Sequence, residues 1–144
     1  MAKPFELYVY AQLRIFFPSE GTLHYQFSSN HQYLDFLCTA KDRCFAPSLD
    51  GFFIADAKYK PRNAEGNVAI VDDMRQLAGY ARLAGVRDEC RRRGWDDRSS
   101  DLPGVILYAD PNAPTTLDWD RLEPIRGWER MFTIGLGVPA ESAE

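Results

Sequence analysis

Cysteine and long apolar runs are scarce in this chain of 144 residues, and each shortage excludes a class of protein. The three cysteines, Cys38, Cys44 and Cys90, form no CxxC pair, which argues against a disulfide framework or a thiolate zinc site. No run approaches the roughly 20 apolar residues of a membrane helix, and the first residues do not resemble a secretory signal. We therefore expect a cytoplasmic protein without a membrane span.

An excess of positive charge is also missing. Lys and Arg number 17 against 21 Asp and Glu, which gives a net charge of −4 and excludes a strongly cationic coat for nucleic acid. Any contact with nucleic acid must therefore be local. With 45% hydrophobic residues, the chain can bury one core of ordinary size. We expect a single folded domain over residues 1–139 and a short polar tail over residues 140–144.

The spacing of apolar residues predicts the order of the secondary-structure elements. Helical and alternating patterns are separated by Pro and Gly. The predicted elements are a helix over residues 4–17, strands over 22–29, 32–38 and 51–60, a helix over 72–93 that follows the apolar run VAIV, strands over 104–111 and 131–139, and a short helical turn near 117–122. Asp72 or Asp73 is predicted to cap the second helix. This order favours an α/β fold of three layers, in which helices flank a mixed central sheet.

The third predicted strand lies in DGFFIADAKYKP, residues 50–61, and runs from apolar residues straight into charge. Because side chains alternate along a strand, Asp56 and Lys58 share one face. Such a pair is costly to desolvate unless the site needs it. One interpretation is a surface ion pair of little energetic value. The other is a site where the carboxylate binds a divalent cation and the lysine serves a water or a phosphate.

A cation of this kind needs more oxygen ligands. Mg²⁺ usually takes one or two protein carboxylates, and waters and substrate phosphates complete its shell. Asp35, on the second predicted strand, is the first candidate, because neighbouring strands bring side chains within about 5 Å across a sheet. Asp50 is the alternative, although an aspartate followed by Gly51 is typical of a turn.

Several features in this order resemble the PD-(D/E)XK nuclease superfamily. They are an acid in the first helix (Glu6), an aspartate on the second strand (Asp35), Asp-x-Lys on the third (Asp56, Ala57, Lys58) and a glutamine in the following helix (Gln76). The series DAKYK, QLAGYA and ILYADP is similar to that of the McrC-like branch, the methylcytosine restriction nuclease subunits, and the similarity covers residues 5 to about 111. The family usually has proline before the strand-two aspartate, whereas this chain has Leu34. Asp50, which follows Pro47, therefore stays the alternative.

The resemblance implies a restriction-endonuclease-like core and a metal-dependent nuclease of a restriction or defence system, with DNA as the expected substrate. Asp35 and Asp56, with the Ala57 carbonyl, would hold Mg²⁺ or Mn²⁺. Glu6 would complete the site or reach it through a water. In this branch the nuclease domain works with an NTPase or a sequence-reading partner, so a partner protein or a homodimer is expected.

The remaining roles combine the resemblance with the positions of basic residues. Lys58 would position or activate the attacking water, and Gln76 would orient Lys58 or that water. Because phosphate contacts must be local, Lys60, Arg62 and Arg75 are predicted to line a groove beside the metal site, the alternative being solvated surface charges. The sequence leaves a second function open, a catalytically silent nucleic-acid- or protein-binding module on the same fold.

Overall fold

The computed structural model describes residues 2–29, 32–40, 49, 51–59, 67–96 and 102–138. Its helices are α1 (Ala2–Phe16), α2 (Asn67–Ala81) and α3 (Ala84–Arg92). Its strands are β1 (Leu23–Ser29), β2 (Gln32–Thr39), β3 (Phe52–Lys58), β4 (Gly104–Ala109), β5 (Glu123–Pro124) and β6 (Met131–Leu136), and a 3₁₀ turn covers Trp119–Arg121. Within these ranges, no helix is both long enough and apolar enough to cross a bilayer.

The strands form one six-stranded sheet in the order β1-β2-β3-β4-β6-β5. β2 is antiparallel to both of its neighbours, β1 and β3, whereas β3, β4 and β6 run parallel and β5 lies antiparallel to β6 at the far edge. The parallel half arises because the chain leaves β3 through two helices before it returns as β4, a connection that parallel strands require. The predicted α/β class, with a mixed sheet and flanking helices, is confirmed.

Two hydrophobic cores, one on each face of the sheet, hold the helices in place. In the first core α1 buries Phe5, Val9 and Leu13, whose spacing of four residues keeps them on one side of the helix. In the second core α2 and α3 bury side chains such as Met74 and Val86. Burying a side chain of this size contributes roughly 1.5–3 kcal/mol. The sheet is therefore fixed between two helical layers.

The predicted start of the second helix is wrong. α2 begins at Asn67 and includes residues 68–71, so Asp72 and Asp73 lie inside the helix and do not cap it. A short apolar run such as VAIV fits a strand or a helix equally well by sequence alone. The earlier start matters for the site described below, because it places Asp73 within a helix that packs on the sheet.

The predicted second helix is also two helices. Arg82 and Leu83 donate hydrogen bonds to the carbonyl groups three residues earlier, which tightens the end of α2. Leu83 then takes an extended conformation, with φ of −65° and ψ of 132°, and α3 begins. The predicted positions of α1, the β1–β2 hairpin, β3, β4 and β6 are confirmed to within a few residues, whereas the sequence did not indicate β5.

Gly137, just after β6, lies where the loop that follows β4 passes close to the sheet. Its N–H donates to the Pro114 carbonyl over 2.8 Å, and a Cβ here would collide with the backbone carbonyl of Ala113. We expect Gly137→Ala to lower the free energy of unfolding by about 1–3 kcal/mol, as overpacking does. Gly79→Ala is the matched control, because a Cβ on this α2 residue meets nothing within 4 Å. Urea denaturation measures both, and equal stabilities would contradict the prediction.

Candidate carboxylate–lysine site

Asp35 and Asp56 come together because β2 and β3 are antiparallel neighbours. Phe36 pairs with Ala55, so the next position along the two strands places Asp35 opposite Asp56. The two carboxyl groups are close enough to share a hydrogen bond. The N–H of Ala57 donates to Asp35 Oδ2 over 3.0 Å, which fixes the orientation of this carboxyl group. The structure thus brings together the two aspartates that the sequence analysis paired.

Lys58 follows on the same strand and the same face as Asp56. Its Nζ lies 2.8 Å from Asp56 Oδ2 and 3.6 Å from Oδ1 of Asp73 on α2. The Asp56 side chain is only 11% exposed, whereas the Lys58 side chain is 33% exposed. The ammonium group is therefore fixed beside the carboxyl pair and stays accessible to a ligand from solvent.

Two carboxyl groups held this close cannot both ionise without a large cost. Burial, the hydrogen bond with Asp56 and the charge of Asp56 raise the pKa of Asp35 to about 8, and the Ala57 N–H opposes the shift only in part. Asp35 therefore keeps a proton near neutral pH in the absence of a bound cation. Either a proton or a cation is needed to balance the pair.

The charge of Lys58 is stabilised by its neighbours. Burial opposes the charge, but the carboxyl groups of Asp56, Asp73 and Asp35 outweigh it and raise the pKa of the ammonium group. Burial also raises the pKa of Asp73, and Lys58 acts in the opposite direction. Lys58 is therefore a cation at neutral pH, and it can donate hydrogen bonds to a water or to a phosphate oxygen.

The hairpin that carries Asp35 is irregular at the position opposite it. Gln26 of β1 has a φ of 55°, which is uncommon for a residue other than glycine. Tyr25 and Phe27 are two residues apart and would share a face in a regular strand, yet they pack against the first and the second core respectively. β1 therefore changes face at Gln26. No residue in this stretch signals the irregularity in the sequence.

Glu6, near the start of α1, approaches the pair from the first core. Tyr25 Oη donates to Glu6 Oε2 over 2.6 Å, and Gln26 Nε2 donates to the same oxygen over 3.3 Å. The charge of Glu6 also contributes to the raised pKa of Asp35. The structure thus holds Glu6 beside Asp35 through two side chains of β1.

Gln76, the predicted orienting residue, lies on α2 and contacts its helical neighbour. Gln76 Nε2 donates to Tyr80 Oη over 3.2 Å, and Gln76 is exposed. The α2 side chain that contacts Lys58 is Asp73, which the sequence analysis assigned to a helix cap. In the sequence, the signal for this contact is Asp-x-Lys on a strand followed by an acid on the next helix. It identifies Asp73 only when α2 is known to begin at Asn67, which places Asp73 inside the helix.

The predicted nucleic-acid contacts are placed only in part. Lys60 and Arg62 lie outside the described residues, as does Asp50, the alternative ligand. Arg75 is exposed on α2, next to Gln76 in the sequence. The basic groove therefore stays a prediction.

A second charged cluster lies between β1 and α3. Oxygen atoms of Glu89 lie 3.6 Å from His24 Nε2, 2.6 Å from Arg92 Nη2 and 3.2 Å from Arg93 Nε. Burial lowers the pKa of His24 despite this carboxylate, so the imidazole is neutral at pH 7 and its contact with Glu89 is not an ion pair there. Glu89 thus pairs with two arginines at the end of α3 and also contacts His24 of β1, and this last contact joins α3 to the sheet.

Comparisons with protein-family models, with curated proteins and with solved structures find no match to this chain. In the part of the chain that the structure describes, no three side chains of His, Cys, Asp or Glu are grouped so that they could hold a metal ion together. The site is therefore defined by its own geometry. It consists of two carboxyl groups in contact, a lysine paired with one of them, and Glu6 and Asp73 at its border.

The pKa of Asp35 predicts how stability varies with pH when divalent cations are absent. The folded chain raises this pKa from 3.8 to about 8, so across that range the folded state holds a proton that the unfolded state has released. The contribution of Asp35 to the free energy of unfolding therefore falls as pH rises from about 4 to about 8. Asp35→Asn, which keeps an acceptor for the Ala57 N–H, should lose this decline.

Urea unfolding of wild type and Asp35→Asn at several pH values, with a chelator present, measures the difference. We expect the stability of the variant relative to wild type to increase with pH through this window, because only wild type releases a proton when it unfolds, and a rising pH favours that release. Curves that run parallel from pH 4 to pH 8 would show that Asp35 titrates near its ordinary value.

Proposed function

We propose that this chain is a metal-dependent nuclease that hydrolyses phosphodiester bonds of nucleic acid, with DNA as the expected substrate, on a restriction-endonuclease-like core. One observation carries the proposal. The pairing of β2 with β3 presses Asp35 against Asp56, and Lys58 holds the second carboxylate at 2.8 Å. Burying charged groups in this way destabilises the fold unless a bound ligand compensates for the lost hydration. The resemblance of its residues to PD-(D/E)XK nucleases supports the same conclusion.

The donor set suits a small, hard cation. Proteins hold Mg²⁺ with one or two carboxylates, and waters and substrate phosphates complete its shell, so a pair of aspartates is sufficient without a third acid. Asp35 and Asp56, with the Ala57 carbonyl, would hold Mg²⁺ or Mn²⁺, and Glu6 would reach the ion through a water. A cation bound there would lower the pKa of a coordinated water and offset the negative charge of the phosphoryl group.

Lys58 is the side chain that would contact the phosphate. Its ammonium is fixed by Asp56 and Asp73 and remains partly exposed. It can donate to a nonbridging phosphate oxygen while it orients the attacking water, and charge-assisted hydrogen bonds of this type are roughly twice as strong as neutral ones. Water would attack the phosphorus directly, so no covalent intermediate with the protein is needed.

Recognition of the nucleic acid would rest on local contacts. Lys60 and Arg62 follow β3 directly, and Arg75 is exposed on α2, so these three cations would line the approach to the site. The net charge of −4 does not attract a polyanion over distance. A partner protein, such as an NTPase or a sequence-reading subunit, or a second copy of the chain would deliver the substrate.

Two observations favour a second candidate function, a catalytically silent nucleic-acid- or protein-binding module. Lys58 already balances the Asp56 carboxylate, and no set of three metal-ligating side chains occurs in the described ranges. In such a module Lys58 and Asp56 would form an internal ion pair that fixes the end of β3. Binding of a divalent cation separates the two functions.

Mg²⁺ or Mn²⁺ should stabilise the folded protein, because a ligand that binds only the folded state adds about 2.7 kcal/mol at a hundred times its Kd. Asp56→Asn should fold but lose both this gain and the cleavage of DNA. Asp72→Asn, which removes an exposed acid from the same helix as Asp73, should keep both. Thermal melts and cleavage assays on plasmid, single-stranded DNA and RNA, each with cation or chelator, test this. If cations neither stabilise wild type nor support cleavage, the binding module is the correct function.

Lys58→Ala should separate cation binding from catalysis. The lysine serves the water and the phosphate, so we expect cation affinity to persist and the cleavage rate to fall by about 10²–10³, the usual effect of losing one donor to a transition state. Calorimetric titration with Mn²⁺ and single-turnover cleavage measure the two quantities. Arg121→Ala, which removes an exposed cation from the 3₁₀ turn, is the control. Equal loss of cation affinity and rate would give Lys58 a structural role.

A further inference from the structure

Two tyrosines are exposed at the end of the sheet that carries the carboxyl pair. Tyr33 is 67% exposed and Tyr59 is 43% exposed, and they are the aromatic members of the exposed large hydrophobic residues in the described ranges. Tyr33 precedes Asp35 by two residues on β2, and Tyr59 directly follows Lys58 at the end of β3. Because these strands are antiparallel, the start of β2 and the end of β3 lie at the same end of the sheet, where Tyr59 packs on the α1 face and Lys58 points to the α2 face.

The ring of Tyr59 is held in place. It packs edge-on against Phe5, with ring centroids 5.8 Å apart and an angle of 66° between the ring planes. Phe5 is only 3% exposed and is the neighbour of Glu6 on α1, so the first core anchors this contact. A ring that is already ordered loses little conformational freedom when a ligand stacks on it.

We propose that Tyr33 and Tyr59 are stacking platforms for bases, so that the nucleic acid taken by this site is single-stranded or has unpaired bases beside the scissile phosphate. This inference rests on the proposed nuclease function and names the substrate class. Aromatic side chains stack on any base and read no sequence, and the bases of a duplex are already stacked on one another. Only a strand with free base faces can use both rings.

The charge of the chain supports the same choice. Proteins that hold duplex DNA rely chiefly on phosphate contacts from Lys and Arg. Here the net charge is −4, and the acids around Lys58 outnumber it, so phosphate contacts at the site itself provide little attraction. Stacking supplies a short-range attraction that does not depend on the sign of the net charge. Tyrosine is suited to an exposed platform, because one end of the side chain is apolar and the other is polar.

Fluorescence anisotropy tests the proposal with three labelled probes: oligothymidylate of about 12 nucleotides, the same length with abasic residues, and a blunt duplex. Ca²⁺, another hard cation with oxygen ligands, replaces Mg²⁺ so that binding is measured apart from cleavage. Tyr33→Leu and Tyr59→Leu should each raise the Kd for oligothymidylate by roughly 5- to 150-fold, and Tyr33→Phe and Tyr59→Phe should not. Ile15→Ala, which removes another exposed apolar side chain, is the control.

The abasic probe identifies the source of the effect. Wild type should bind it at least as weakly as either leucine variant binds oligothymidylate, because its phosphates remain while the bases that both rings would stack on are gone. Leucine variants with wild-type affinity, or an equal loss on the abasic probe, would overturn the proposal. If the leucine variants lose oligothymidylate while no cation supports cleavage, stacking stands and the nuclease function fails. If wild type cleaves duplex DNA and the leucine variants cleave it equally well, the nuclease stands and stacking fails.

Discussion

The contact between the carboxyl groups of Asp35 and Asp56 is the constraint on which the rest of the site depends. Two ionised carboxylates at this separation would repel strongly in a half-buried place, so Asp35 keeps a proton and shares a hydrogen bond with Asp56, while the pairing of β2 with β3 holds the two residues side by side. The cost is reduced locally by the Ala57 N–H, which donates to Asp35, and by Lys58, which pairs with Asp56. These two contacts fix the Ala57 N–H and the Lys58 ammonium beside the pair. The negative charge that they leave unbalanced can be neutralised by a cation or by a proton.

The three-layer fold determines which further side chains border that pair. α1 packs on one face of the sheet and brings Glu6 to Asp35, while α2 packs on the other face and brings Asp73 to Lys58. The change of face at Gln26 connects the two sides, because its side chain contacts Glu6 and its backbone lies opposite Asp35. The site thus forms where both helical layers meet the end of the sheet, and neither core alone would assemble it.

Local patterns in the sequence were sufficient for part of this arrangement. Alternation along β3 placed Asp56 and Lys58 on one face, and the hairpin pattern placed Asp35 on the neighbouring strand, because both depend only on the two-residue period of a strand. Asp73 was missed because its position depends on where α2 begins, and an apolar run such as VAIV has no unique interpretation. Gln26 was missed because a positive φ in a strand is imposed by packing on both faces, which no nearby residue records.

The location of the charges limits how a polyanion can approach this site. At physiological ionic strength the net charge of −4 is screened beyond about 8 Å, so the repulsion that matters comes from the acids within the site itself. Among the described residues, the attractions close to the site include Lys58 and the exposed rings of Tyr33 and Tyr59, and a bound cation would add to them. A cation and a lysine act on a phosphate, whereas the two rings would act on bases at the same end of the sheet. The same geometry that makes the site repel nucleic acid as a whole therefore favours a strand that is held by its bases as well as by a phosphate.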